Sequence, residues 1–217
     1  MATINDIDNP TIGLAVEPGI KAARTVSVFR GYGFGVGATS GTIAAALAAN
    51  STVFAMRLDP GATRRAFIER VHVEWATIVA FTTAVTAGRR LALYRAQLSS
   101  NPTGGTAIAA AMSKHGISDT SEFSAANGGD MRISSTGTLT IAGTVDAAPF
   151  AEMTLTHVGA AGGFASAELV TPSTQPIQLD PGQGIVIRNP VAMDAAGTWQ
   201  LSVEVEWFEA PAVDYTG

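Results

Sequence analysis

Apolar and polar residues alternate along Gly197-Thr198-Trp199-Gln200-Leu201-Ser202-Val203-Glu204-Val205-Glu206-Trp207, near the end of the chain, and this alternation indicates the fold class. Successive side chains of a strand point to opposite faces, so the apolar members share one face and the polar members the other. The pattern predicts a long strand with one buried face and one solvent-exposed face. Antiparallel sheets tolerate water on one face, and the predicted class is therefore antiparallel β.

Shorter segments of the same kind recur along the chain. The predicted strands are 24–29, 52–58, 67–75, 77–85, 89–98, 131–134, 138–141, 152–157, 163–170, 177–179 and 184–188. Residues 86–88 have the spacing of a hairpin turn, and short helices are predicted at 42–50 and 106–115. Ten to twelve short strands separated by turns are typical of a sandwich, jelly roll or barrel. The sequence predicts an all-β, antiparallel jelly-roll-like sandwich with one or two short helices.

Residues 1–20 differ from the rest because prolines and glycines interrupt them and no periodicity is sustained. We predict an extended N-terminal arm at 1–20 and a single β-sandwich domain at 21–217. The arm is too apolar for a solvated tail, so it is expected to dock on a partner or to pack on its own domain. The predicted partner-contact residues are Ile4, Ile7, Ile12 and Leu14.

Composition limits the function classes. A chain of 217 residues suits one large sandwich and can bury a core that needs no disulfide or structural metal. The absence of cysteine excludes thiolate chemistry. The net charge of −5 argues against nucleic-acid and anionic-membrane partners. No signal peptide or membrane-spanning run is evident, so a protein made in the cytoplasm is expected.

The charges are unevenly distributed along the sequence. Residues 21–95 contain ten of the thirteen basic residues, whereas residues 96–217 contain twelve of the eighteen acids. Such asymmetry would dock subunits head to tail if it persists in space. Alternatively, the two halves interleave in one sandwich and the charges mix.

Glycine occupies every second position from Gly31 to Gly37. In an extended chain these glycines share one face, which would let another backbone approach closely or let the sheet bend sharply. The spacing matches neither phosphate-binding glycine pattern.

The chain contains few patterns that suggest catalysis or ligand binding. His72, His115 and His157 lack metal-ligand spacing, and no nucleophile elbow is present. Glu204 and Glu206 share a strand face roughly 7 Å apart, a spacing that would serve glycoside hydrolysis or belong to a solvated face. Asp119, Glu122 and Asp130 lie in one loop and could ligate calcium, but their spacing is not that of an EF-hand.

The aromatic residues leave two alternatives. Trp75, Trp199, Trp207, Tyr32 and Tyr94 would form a sugar-stacking platform or anchor the core, and the apolar phase of the tryptophans favours the core. We therefore predict a protein that is not an enzyme, with no catalytic residue, cofactor or metal.

Three passages carry a resemblance. They are Gly104-Gly105-Thr106-Ala107, then Asp130-Met131-Arg132-Ile133 with Thr138-Leu139-Thr140-Ile141-Ala142-Gly143-Thr144, then Pro181-Gly182-Gln183-Gly184-Ile185-Val186-Ile187-Arg188-Asn189 followed by the alternating strand. Their order resembles that of tailed-bacteriophage virion structural proteins of the jelly-roll-like capsid decoration, or cement, type. The resemblance covers about the second half of the chain.

The resemblance implies a non-enzymatic role on the capsid exterior. Such a protein, made in the bacterial host cytoplasm, would bind the major capsid protein of a phage and stabilise the head shell, and a homotrimer would suit local three-fold positions. The alternative is a phage tail, neck or fibre protein, or a lectin-like module, that binds host glycans.

Overall fold

Thirteen strands in two antiparallel sheets form the part of the chain that the structure, a computed structural model, describes: residues 33–82, 88–115, 120–155 and 159–211. The strands are β1 (Gly33–Thr39), β2 (Ser51–Arg57), β3 (Arg64–Val79), β4 (Arg89–Leu98), β5 (Thr106–Ala107), β6 (Ser113–Lys114), β7 (Asp130–Ile133), β8 (Gly143–Val145), β9 (Ala151–Leu155), β10 (Phe164–Val170), β11 (Ile177–Leu179), β12 (Gln183–Asn189) and β13 (Thr198–Pro211). Two sheets packed face to face confirm the predicted antiparallel all-β sandwich.

The order of the strands places distant parts of the sequence side by side. The first sheet has the order β10-β3-β13-β1-β6, with β11 also pairing with β3. The second sheet has the order β5-β7-β2-β12-β4-β8, with β9 also pairing with β4. Each sheet therefore contains strands from both halves of the chain.

The longest pairing, between β3 and β13, carries the centre of the core. Leu201 lies opposite Trp75 and Val203 opposite Val73, and all four side chains are buried. Trp75 stacks on Trp199 with ring centroids 3.9 Å apart. The alternation in the final strand thus places its apolar face inward, as predicted, because burial of that face is the main favourable term in folding.

The second sheet is buried on both faces along β2, whose seven residues are all buried. Its inner face belongs to the main core. On its outer face a smaller apolar cluster contains Ala55, Tyr94, Leu139 and Val186. The segment predicted as a strand at 138–141 contributes Leu139 to this cluster. It pairs only through isolated bridges, of Leu139 with Thr52 and of Thr140 with Thr103.

Both helix predictions require correction. The helix predicted at 42–50 is wrong because tertiary partners take its backbone donors: the Ile43 N–H donates to Trp199 O at 2.8 Å, and the Ala46 N–H donates to Asp194 O. Ala46 and Asn50 also have positive φ angles. The helix predicted at 106–115 is reduced to one 3-10 turn, Ala109–Ala111, between β5 and β6, and a second such turn spans Ala125–Asn127.

The hairpin predicted around residues 86–88 is also wrong. The segment from residue 77 continues β3 in the first sheet, whereas β4 lies in the second sheet. The connection therefore crosses between sheets, and its residues 83–87 lie outside the described part. The predicted arm at 1–20, with Ile4, Ile7, Ile12 and Leu14, and the predicted strand at 24–29 also lie outside it.

Candidate interaction surface

The outer face of the first sheet carries a row of acidic side chains across three adjacent strands. The register pairs Glu74 with Ser202 and His72 with Glu204 between β3 and β13, and Glu168 of β10 lies on the other side of His72. Arg70 lies opposite Glu206 in the next row. We call the acids of this face the carboxylate strip; they are Glu74, Glu168, Glu204 and Glu206.

Arg70 lies at the centre of the strip. Its guanidinium donates to Glu168 at 2.8 Å and to Glu206 at 3.2 Å, and it also reaches Glu204 at 3.4 Å. The hydrogen bonds to Glu168 and Glu206 raise the pKa of Arg70, so it stays charged. Four carboxylates against one guanidinium leave a net charge of −3 when His72 is neutral.

The predicted placement of Glu204 and Glu206 on one face is confirmed. Both carboxylates contact the same guanidinium on an open sheet. A glycoside hydrolase needs two carboxylates that flank a bound sugar, whereas both carboxylates here are exposed and are held by one guanidinium. The geometry thus supports the solvated-face alternative over glycoside hydrolysis.

Exposed apolar side chains lie next to the strip, at the end of β3. Phe164 pairs with Ala76, and Ile78, two residues further along β3, shares that outer face. Ile78 and Phe164 are 45% and 59% exposed. We call these two residues the apolar end; Val79, which is also exposed, ends β3 in the opposite phase.

The alternating glycines of β1 lie on the same outer face, while Phe34 and Val36 point into the core. A Cβ on Gly33 or Gly35 would approach His115 to 3.3 Å, so the glycines admit this imidazole against the sheet. The prediction was a close approach of another backbone or a sharp bend; what lies closest to this face at Gly33 and Gly35 is instead a side chain from the segment that pairs through β6.

The remaining candidate ligands have structural roles in the described residues. Trp75, Trp199 and Trp207 are buried, so the core alternative is confirmed and the sugar platform is wrong. Asp130 is bound by Arg132 at 2.7 Å. His157, Tyr32 and Asp119 lie outside the described residues. Within the described ranges, no group of three or more His, Cys, Asp or Glu residues could hold a metal ion.

A buried ionic cluster at the end of β13 was not predicted. The Glu209 carboxylate accepts hydrogen bonds from Ser121 Oγ at 2.5 Å, from the Glu122 N–H at 3.1 Å and from Trp207 Nε1 at 3.1 Å. Arg64 lies 3.3 Å from Glu209 and 3.1 Å from Glu122. Burial raises the pKa of Glu209, while these hydrogen bonds and the charge of Arg64 oppose the rise. The cluster ties the segment that begins at residue 120 to the sheet.

Ion pairs join the two halves of the sequence, so the charge asymmetry along the sequence does not persist in space. Six arginines of residues 21–95 pair with acids of residues 96–217. They are Arg64 with Glu122 and Glu209, Arg65 with Asp180, Arg70 with Glu168, Glu204 and Glu206, Arg89 with Asp194, Arg90 with Glu152, and Arg95 with Asp146. This arrangement favours the interleaving alternative over head-to-tail docking of segregated charges.

An open pocket of about 310 Å³ lies beside β7, lined by Asn101, Asp130 and Arg132 with small residues. Its polar groups already bind one another or the backbone: Asn101 accepts from Arg57 and donates to Gly128 O, and Arg132 holds Asp130. The pocket is therefore a weaker candidate for binding than the outer face of the first sheet.

The fold and this face define the class, an all-β sandwich of two antiparallel sheets with an anionic and apolar outer surface. Comparison with protein-family models, with curated proteins and with solved structures gives no match to this chain. In the described residues no helix is long and apolar enough to cross a membrane.

Proposed function

We propose that the protein is a non-enzymatic virion component that decorates the exterior of a tailed-phage head shell. The observation that carries the proposal is the outer face of the first sheet, where the apolar end adjoins the carboxylate strip. The resemblance of the second half of the chain to phage decoration proteins supports the same role. On this view the carboxylates serve recognition and ion pairing, and the sandwich supplies a rigid support.

The chemistry of this face defines its partner. Exposed apolar groups bordered by charged side chains are typical of protein-binding surfaces. The net charge of −3 on the strip favours a shell surface that presents basic side chains. Residues 1–20, with Ile4, Ile7, Ile12 and Leu14, would add a second contact, and a homotrimer would repeat both contacts about a three-fold axis.

The copy number of the chain in purified particles from its source tests this function. We expect a ratio to the major shell protein of the same order as one, measured by quantitative mass spectrometry. A few copies per particle would contradict decoration and favour a tail, neck or fibre protein, with glycan binding as the next assay. Complete absence from particles would overturn the virion role.

A surface substitution tests the face itself. Phe164→Ser is expected to weaken binding of the purified protein to particles that lack it by about tenfold or more, because an exposed aromatic anchor is lost from the interface. The matched control is Phe150→Ser, since Phe150 is 52% exposed and precedes β9 at the edge of the second sheet. Equal losses for the two variants would contradict the assignment of the interface to the first sheet.

A further inference from the structure

One arginine on the outer face of the second sheet differs from the others in its partners. The described part of the chain contains nine arginines, and eight of them lie within ion-pair distance of a carboxylate. They are Arg57, Arg64, Arg65, Arg70, Arg89, Arg90, Arg95 and Arg132. The ninth, Arg188 of β12, forms no ion pair with an acid of the described ranges.

The register places Arg188 at the rim of the outer apolar cluster. Arg188 lies opposite Ala92 of β4 and Thr52 of β2, and Val186, two residues earlier, belongs to that cluster together with Ala92 and Tyr94. Ala92 and Thr52 are buried, and Arg188 is half-buried. The positive charge is therefore partly removed from water, next to apolar surface.

A hydrogen bond to a buried hydroxyl fixes the orientation of the guanidinium. Arg188 Nε donates to Thr52 Oγ1 at 3.1 Å, and the Thr52 backbone N–H donates to Thr138 Oγ1 at 3.0 Å. Within the described ranges no acceptor lies within hydrogen-bond distance of the terminal nitrogens Nη1 and Nη2, and neither nitrogen is sealed from water. The guanidinium thus presents a planar pair of donors to solvent.

The acid in the same row of this face is already bound to another arginine. Glu152 of β9 lies on the far side of Ala92, and Arg90 Nη1 donates to its carboxylate at 2.9 Å. Burial lowers the pKa of Arg188, and Tyr94, not a carboxylate, is the group that opposes the fall. The partial desolvation of this charge is therefore not offset by a described acid, and an added anion would offset it.

We propose that Arg188 is an oxyanion-binding residue on the outer face of the second sheet. Nη1 and Nη2 donate to two oxygens of a carboxylate or a phosphate, because the guanidinium fork matches the spacing of such oxygens. The bond to Thr52 orients the fork before the ligand arrives, which lowers the entropy cost of binding. The site lies on the opposite sheet from the carboxylate strip and does not depend on the proposed function.

An NMR titration of the full chain tests the site. The backbone amide signals of Thr52, Ala92 and Arg188 are followed while sodium phosphate, or in a second series sodium acetate, replaces sodium chloride at constant ionic strength. We expect saturable shifts with a Kd on the order of 1 mM, since one bidentate contact supplies the affinity. Saturation by phosphate alone would assign a phosphate-bearing ligand, and saturation by acetate would assign a carboxylate.

Three variants show which property of Arg188 is needed. Arg188→Gln is expected to weaken binding by about tenfold or more, because both charge and fork are lost. Arg188→Lys keeps the charge without the planar fork and is expected to weaken binding several-fold. The matched control is Arg95→Gln on the neighbouring strand β4, which removes an equal charge from an ion pair with Asp146 and is expected to bind like the wild type. Amide spectra without added anion verify that each variant is folded.

Four results would overturn the proposal. They are shifts that grow linearly without saturation, saturable shifts of the same Kd in Arg188→Gln, equal losses in Arg95→Gln and Arg188→Gln, and full affinity in Arg188→Lys, which would exclude bidentate recognition by the fork. The titration uses isolated protein. Its outcome is therefore independent of the copy number in particles, on which the proposed function depends.

Discussion

Replacing Gly197 with alanine is expected to lower the free energy of unfolding by roughly 2–4 kcal/mol, because the new Cβ combines backbone strain with overpacking. Gly197 has a φ of +94°, and a Cβ there would lie 2.5 Å from Cδ1 of Phe81. The Phe81 ring has little room to move, since it packs against Trp75 at 6.0 Å and lies 4.3 Å from the Arg89 guanidinium carbon. Chemical denaturation monitored by tryptophan fluorescence measures the change.

The matched control for this substitution is Gly137→Ala. A Cβ at Gly137 meets no heavy atom within 4 Å, and its φ is outside the left-handed region. We expect the control to be neutral or slightly stabilising, because alanine reduces the freedom of the unfolded chain. A loss at Gly197→Ala no larger than that of the control would contradict the packing of Phe81 against this turn.

The strands were predictable because the pattern of one-sided burial is local. In β13, the phase that contains Trp199 and Trp207 is buried, and the phase that contains Glu204 is not. In such a strand the polarity of each side chain indicates whether it lies on the buried or the exposed face. The same logic located the glycines of β1 on one face.

The arrangement of strands was less predictable because it depends on distant partners. The apolar run at 42–50 has helical propensity, yet Ile43 pairs with Trp199 and is fully buried; tertiary hydrogen bonds and burial outweigh a propensity worth tenths of a kcal/mol per residue. Alternation is likewise the same whether the chain turns back in one sheet or crosses to the other. The connection from β3 to β4 was therefore misassigned as a hairpin.

One feature of the sequence points to the buried ionic cluster. Glu209 follows Trp207 by two residues, so it occupies the apolar phase of the strand, where an acid must be paired or hydrogen-bonded. The identity of its partners was beyond local reasoning, since Ser121 and Arg64 are 88 and 145 positions away in sequence. The carboxylate strip was predictable in part: the face of Glu204 and Glu206 followed from periodicity, but their shared contact with Arg70 did not.

Glu209→Ala is expected to lower the free energy of unfolding by about 3–5 kcal/mol at neutral pH, because it removes one partner of a buried ion pair. Arg64 would keep Glu122, but Ser121 Oγ and Trp207 Nε1 would lose the acceptor that they share. The matched control is Glu204→Ala on the same strand, whose carboxylate is exposed and is expected to contribute less than about 1 kcal/mol. Equal losses for the two variants would contradict a structural role for the buried cluster.

The pH dependence of Glu209→Gln tests the ionic state of the same group. Because burial raises the pKa of Glu209 above its ordinary value of 4.5, the folded chain holds the proton more tightly than the unfolded chain does. The stability that this proton contributes is fully present below pH 4.5 and is lost as the pH rises through the raised pKa. Glutamine does not titrate, so the wild-type stability minus that of Glu209→Gln is expected to fall over this window and then to stay constant. A difference that grows with pH would show that Arg64 and the hydrogen bonds outweigh burial and lower the pKa of Glu209.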